Sequence, residues 1–473
     1  METIPLDSDK PHTKEALTAF LVGCQLKAGA VGHPQLVSIT LPAVGLDPLA
    51  VLESIYEESE LHFYVERKQE GFAVAGADAV ASRVETGRGR FAEVKAFVEE
   101  TIENTIAIGD ERLPFFGPHF FCSFAFADDG GPECVFPSAS VFVPRWQVSL
   151  SKGRSIAVAN AMVEADGDVA EIAERIWKAN TKFRSFGPGT ALAGERTEMR
   201  ILETLEDGGA NRFSGSVASA VKKIGDGEFE KIVLARALDL QANQRFHPLE
   251  ILNTLRERYA DCYSFSVGNG KGQSFIGASP ERLARAVRGE LLTEALAGTA
   301  RRGTTASEDA ALGAALLGSD KDRREQALVL DSIARRLAAL GIETECDEEP
   351  CLKKLQNVQH LQSLVRGKIP EGMHLLDVIS QLHPTPAVGG SPRESACSCI
   401  RSLEGFDREL YAGAIGWVDT KGEGEFLVGI RSALINGDRA RLYAGGGIVS
   451  GSDPEKELGE TELKFRVLKE NLL

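Results

Sequence analysis

The sequence predicts a mixed α/β fold containing several antiparallel strands, and three observations carry that reading. Stretches of helical periodicity and stretches of strand-like alternation interleave along the whole chain. Towards the C-terminus, strand-like segments follow one another with little more than turn residues between them, the arrangement antiparallel neighbours allow. No repeat of solenoid period and no low-complexity tract interrupts the pattern.

In order, "TKEALTAFLVGCQLKAG" reads as a helix, and "PQLVSITLPAV" and "LHFYVERKQEGFAVAG" as strands. "GRGRFAEVKAFVEETIENTI" reads as an amphipathic helix throughout. The aromatic-rich "LPFFGPHFFCSFAFA" and "ASVFVPRWQVSLS" read as buried strands with turn punctuation, and "DVAEIAERIWKANTKF" as another helix. The weakest pattern, about 185–212, marks a junction. Beyond it come helix "FSGSVASAVKKIGDG", strand "FEKIVLARALDL", helix "PLEILNTLRERYAD" and the strands "YSFSVG", "QSFIGAS" and "ERLARAVRGELLTEAL". "SDKDRREQALVLDSIARRLAALG" is a long helix with Gly341 as its stop. "YAGAIGWVD", "GEFLVGIRSALING" and "RARLYAGGGIVSG" form the antiparallel set.

The chain has 473 residues, 43% hydrophobic and 26% charged, ordinary for a globular protein with a large core. Its eight cysteines form no CxxC motif, so they read as reduced thiols in a cytoplasmic protein. The acidic, polar start lacks the pattern of a signal peptide, and no apolar run reaches the ~18 residues of a membrane helix. A net charge of −16 argues against sequence-independent nucleic-acid binding. It also means that an anionic ligand needs a cation or a local basic cluster to hold it.

Asp322 and Glu325 stand three apart at the start of the long helix, and Glu457 and Glu460 repeat that spacing in "SDPEKELGETELKF". Acids in a first turn ordinarily complement the helix dipole. Two such pairs on two helices also suit a hard cation such as Mg2+, which takes carboxylate oxygens and keeps waters. Lys464, one turn beyond Glu460, shares its face.

Lys231 opens the apolar "KIVLAR"; by alternation it points to water, or, desolvated, it serves as a general base. Glu281, after Pro280 in "GASPERL", is a solvated turn acid or a buried, protonated donor. Gly445 to Gly447 make a bulged strand or a backbone that approaches a carboxylate closely. Arg431 and Tyr411 are donors suited to a second carboxylate, and His360 is a core histidine or a site residue.

The ordered series "KIVLAR", "GASPERL", "LTEALAGTARRG", "SDKDRREQ", "VQHL", "HPTPAVGGSPRESA", "RELYAGAIGW", "GIRSALI" and "YAGGGIVSGSDPEKELGETELK" resembles the chorismate-using enzymes. The resemblance runs over about 211–473, and more loosely through "PFFG" and "FVPRWQV" before it. It implies an anthranilate synthase component I-like fold, two α/β lobes whose antiparallel sheets pack as a sandwich with helices outside. Residues 1–210 would be the N-terminal lobe and 211–473 the chorismate-binding catalytic region. It implies Mg2+ held by Glu325 and Glu460, with Asp322 and Glu457 supporting through water. Substrate contacts would come from Gly298, Thr299, His360, Ala387, Tyr411, Arg431, Gly445, Gly447 and Lys464.

Within that family "ALAGT", 295–299, is similar to the isochorismate synthases, as is Ala387 in the "PTPAVGG" loop. Ala297 occupies the position where aminodeoxychorismate synthases carry a nucleophilic lysine. The resemblance thus implies water attack on C2 of chorismate with Lys231 as base and Glu281 as acid for the C4 hydroxyl, in menaquinone or related quinone synthesis. No amidotransferase partner is implied. Salicylate synthesis, which adds pyruvate elimination, and non-catalytic chorismate binding are the alternatives. Gln326 departs from the family's usual histidine and is expected to alter the tuning of the metal.

Overall fold

The computed structural model describes the chain except residues 6–12, 44, 132, 186–198, 207–208 and 473. Part of the junction stretch therefore lies outside the described residues. The rest of it carries strand Ile201–Glu206, paired with Lys231–Ala242, and the start of helix Gly209–Gly225.

Strands of the described chain join one hydrogen-bonded network that folds back on itself as two sheets. Strands Phe72–Glu85 and Ala139–Ser151 pair along their length and form the shared spine. From one part of that spine run Leu61–Arg67, Tyr263–Asn269, Gln273–Ser279, Ser432–Asn436, Arg439–Val449 and Lys231–Ala242, each antiparallel to the last. From the other run Phe120–Phe124, Ala414–Val418, Gly424–Val428, Arg282–Val287, Glu290–Arg301 and Val358–Lys368. Parallel pairing occurs where Thr105–Gly109 lies between Glu2–Pro5 and Gln35–Ala43.

The inner faces of the two sheets share one core. Phe63, Phe265, Phe275 and Tyr443 come from the first sheet, and Phe120, Phe121, Phe426 and Ala295 from the second. Phe63 stacks on Phe121 with centroids 4.4 Å apart. Each such ring, fully buried, contributes about 1.5–3 kcal/mol. Helices cover the outer faces, which gives the sandwich expected. The early and late halves of the chain interlock, because Leu61–Arg67 pairs with Tyr263–Asn269 and Phe120–Phe124 with Ala414–Val418. Among the described residues no helix is long and apolar enough to cross a membrane.

Differences from the sequence reading have local causes. The amphipathic helix ends at Glu103, and Thr105–Gly109 turns into a fully buried strand, because its "TIAIG" has the β-branched content of sheet. "YAGAIGWVD" is a turn until Ala414, with Ala412 at φ 60°. "GEFLVGIRSALING" is two strands, broken at Gly429–Arg431, where Arg431 has φ 50°. Helix Ala306–Leu317, capped by Thr305, escaped the reading because its alanine-rich face carries little apolar contrast.

Two helices matter most for function. Ser319 caps Asp320–Ala339, its hydroxyl accepting from the Asp322 N–H at 3.3 Å, and Gly341 follows with φ 75°. Asp453 caps Pro454–Lys469, where Pro454 takes the first position. Both helices therefore begin at a fixed point, and their first-turn acids project from there.

Candidate active site

A cavity of about 120 Å³ opens where both sheets meet these two helix starts. Glu281, Gly298, Thr299, Asp322, Glu325, His360, Ala387, Tyr411, Arg431, Gly445, Gly447, Glu457, Glu460 and Lys464 all line it. Lys231 sits just behind this lining, 0% exposed, with Nζ 2.9 Å from Glu325 Oε1. The geometry of that contact does not make it a hydrogen bond, so the Lys231 amine has no hydrogen-bond partner.

Lys231 does not point to water because its strand is covered on both sides. Ile232 and Leu234 pack against Phe213, Val217, Ala396 and Ile400 of the outer helices. Val233 lines the cavity, so period-2 alternation turns Lys231 to that same side. Gly447 makes room for it: a Cβ there would stand 2.6 Å from Glu325 Oε1 and 3.2 Å from Lys231 Cε. The three glycines run in register against Leu234, Ala235 and Val233 without a bulge, so close approach is their reason.

Glu281 comes from the opposite sheet, immediately before strand Arg282–Val287, and is 4% exposed. Burial, reinforced by the nearby Glu294 carboxylate, pushes its carboxyl up to about 8 despite Lys353 and Lys231. A group so placed holds its proton at neutral pH.

The "ALAGT" segment owes its shape to Gly298. Register shifts between Ala297 and Thr299, and Gly298 takes φ 69° with its missing Cβ 3.0 Å from the Asp322 Cβ. Its carbonyl is 3.1 Å from His360 Nδ1, and Arg431 Nη2 is 3.0 Å from His360 Nε2. Arginine only donates, so Nε2 accepts and Nδ1 carries the ring proton. Burial and then Arg431 hold the imidazole neutral, well below its ordinary range. His360 thus orients Arg431, whose Nη1 is buried without a partner. An orphaned guanidinium donor beside a cavity is matched to a carboxylate that the chain itself does not supply. Tyr411, stacked on Tyr443 at 5.3 Å, lines the same wall.

The helix side is a ladder of charges. Lys464 Nζ lies 2.7 Å from both Glu460 Oε1 and the Gly445 carbonyl. Burial alone would raise Glu460, but Lys464, together with the lysines beyond it, holds the carboxyl below its usual range. Glu457 is raised by burial and by Glu460, although Lys321 stands 3.3 Å away. Ser319 donates to Asp322. Gln326 turns away into the core and donates to Ser363 Oγ at 2.8 Å.

The sequence reading missed Lys321, Tyr443 and the apolar walls Val233, Leu296, Val388 and Ile430. Lys321 had a signal: a lysine in a helix's first turn opposes the dipole and needs a reason. Its reason is Glu457. The walls had none, because they look like any core residue.

The family model "Chorismate binding enzyme" matches residues 23–473. The chain is 33% identical over 453 residues to a Pseudomonas aeruginosa protein named "Salicylate biosynthesis isochorismate synthase", covering 94% of this chain and 92% of that one. It is 30% identical over 449 residues to "Isochorismate synthase MenF" of Bacillus subtilis, covering 93% and 94%. The solved structure of MenF, the menaquinone-specific isochorismate synthase from Escherichia coli, matches with a TM-score of 0.77 at 26% identity, over 96% of this chain and 100% of that one. Anthranilate synthase component I from Streptococcus pneumoniae, 21% identical, shares the fold with a TM-score of 0.69 over 84% of this chain and 92% of that one. With the family model matched over nearly its whole length, the chain belongs to the chorismate-binding enzymes.

Proposed function

We propose that the protein is an isochorismate synthase, a Mg2+-dependent isomerase of chorismate working in the cytoplasm without an amidotransferase partner. The observation that carries the reading is Glu281, a buried acid that keeps its proton at neutral pH on the wall facing Lys231. Lys231 takes a proton from water as the oxygen attacks C2 of the ring. The ring's π electrons shift, the C4–oxygen bond breaks, and the departing oxygen takes the Glu281 proton to leave as water. One water enters and one leaves, so the change is an isomerisation. The reverse reaction exchanges the two roles. The menaquinone role named for the Escherichia coli structure supports placing the product in quinone synthesis. Residues 1–210 and 211–473 act as two lobes of one catalytic unit, a reading supported by the strand pairing between them.

Charge balance supports a dicarboxylate substrate. With Glu281 protonated and Lys231 acting as the base, the carboxylates of Asp322, Glu325, Glu457 and Glu460 stand against the cations Lys321, Lys464 and Arg431. A divalent cation and a dianion enter such a site as a neutral pair. The oxygen donors of Glu325 and Glu460, with Asp322 and Glu457 behind, fit a hard cation, and lysine amines already meet three of these carboxylates. Among the described residues no three ligating side chains converge on one point. Water and substrate oxygens would therefore complete the shell, as Mg2+ favours. The bound ion would supply positive charge to the ring carboxylate. Arg431, oriented by His360, takes the second carboxylate with Tyr411, and the backbone at Gly298, Thr299, Ala387, Gly445 and Gly447 shapes the ring pocket.

Product-resolved turnover of chorismate, with and without Mg2+ and with and without ammonia, tests the reading. Isochorismate formed only with Mg2+ and regardless of ammonia is expected. Salicylate and pyruvate as main products would replace the assignment with salicylate synthase. Tight chorismate binding without turnover would make the protein a binding module.

A further inference from the structure

Glu294 and Lys353 have no part in the chemistry above, yet they form a buried ion pair beside the proton donor. Lys353 Nζ lies 2.9 Å from each Glu294 oxygen, with side chains 10% and 2% exposed. The pair is tied to both residues that flank Glu281. Lys353 Nζ donates to the Pro280 carbonyl at 2.6 Å, and Glu294 Oε1 accepts from the Arg282 N–H at 2.8 Å. Gln362 donates to the other Glu294 oxygen. Glu294 stands two residues before the cavity-lining Leu296 on strand Glu290–Arg301, hence on the same face. Lys353 reaches in from the short strand Cys351–Lys354.

A buried ion pair often gains nothing over an apolar replacement, so stability alone does not call for this one. We propose that Glu294 and Lys353 are positioning residues for the proton donor: they clamp the Pro280–Arg282 backbone so that the Glu281 carboxyl stays in the cavity, and they balance the charge beside it. This rests on Glu281 being the acid. The charged and titratable groups facing Glu281 are Glu294 and Lys353 from the second sheet, Lys231 from the first, and Tyr411 from the turn before Ala414–Val418. Their influences oppose. Glu294 favours the protonated carboxyl, and the two lysines favour the ionised one.

The test is the pH dependence of kcat in Glu294→Gln, Lys353→Met and the double variant, with circular dichroism as the check on folding. Glutamine at 294 leaves Lys353 unopposed, so the alkaline limb, where Glu281 loses its proton, should move down by about one pH unit. Methionine at 353 should move it up. The double variant should return the limb close to that of the parent protein, with kcat reduced about tenfold by loss of the Pro280 bond and KM within threefold. Shifts in the same direction, or no shift with kcat within twofold, would overturn the proposal. Should a single variant fail to fold, the double variant, which leaves no buried charge unpaired, decides through kcat: a tenfold loss with KM kept supports it, and an unchanged kcat ends it. Glu281→Gln separates the two readings, since full activity there removes the acid itself, whereas its loss beside unaffected 294 and 353 variants removes only the clamp.

Discussion

Two cavities among the described residues differ sharply in character, and the larger of the two carries the fewer charges. The larger, about 330 Å³, is walled by Phe63, Phe121, Phe136, Phe142 and several serines, and among the described residues Lys271 is the one charged group on its lining. The smaller, about 120 Å³, is lined by Glu281, Lys321, Asp322, Glu325, Arg431, Glu457, Glu460 and Lys464. Chemistry requires charges held against their solvation preference, and only the second cavity concentrates those.

The largest effect is expected on removing the two groups on facing sheets. Lys231→Ala or Glu281→Ala should lower kcat by roughly 10²–10⁴-fold while circular dichroism stays that of the parent. Near-normal turnover in either would take that residue out of the proton-transfer pair. A smaller loss is expected at the orphaned guanidinium. Arg431→Ala removes a charge-assisted bond of about 1.5–3 kcal/mol, so KM should rise roughly 10–100-fold with kcat less affected. An unchanged KM would show that the Nη1 donor faces no substrate oxygen.

The smaller cavity was far more legible in the sequence than the geometry that builds it. Glu457, Glu460 and Lys464 could be placed on one face because helical period fixes the direction of a side chain. The register of Gly447 opposite Val233 could not be read, because strand pairing joins residues more than two hundred positions apart. Lys231 shows the cost of that. Local alternation pointed it to water, and only the helices packed over Ile232 and Leu234 reveal that both faces are covered. Arg431 is the opposite case: a residue read as part of a strand is useful because the strand breaks there. Lys321 and Glu294 were visible as charges but not as partners, since a charge's partner is a tertiary fact.

The burial of Glu281 also shows in the pH dependence of stability. The Glu281 carboxyl titrates near 4.5 in an unfolded chain and near 8 when folded, so the folded state holds an extra proton between those values. That proton favours folding below about 4.5, and the advantage falls away as pH rises to about 8. Glu281→Gln has no proton to lose. Its melting temperature relative to the parent protein should therefore climb steadily from pH 5 to pH 8, by a few degrees in all. Parallel melting curves across that range would mean the acid is not buried as described.

The smallest effect is expected in the larger cavity. Phe142→Leu changes the shape of its wall, where the ring meets Phe121 edge-on at 5.7 Å. Lost packing should cost about 1–2 kcal/mol of stability. Yet none of the charged groups proposed to hold chorismate stands on that wall, and Phe142 is joined to the proposed site through the shared core. Turnover per KM should stay within twofold at a temperature where the variant is folded. A tenfold loss in a well-folded Phe142→Leu would mean that the core transmits strain from one cavity to the other, and the separation of a packing void from a charged site would no longer describe this molecule.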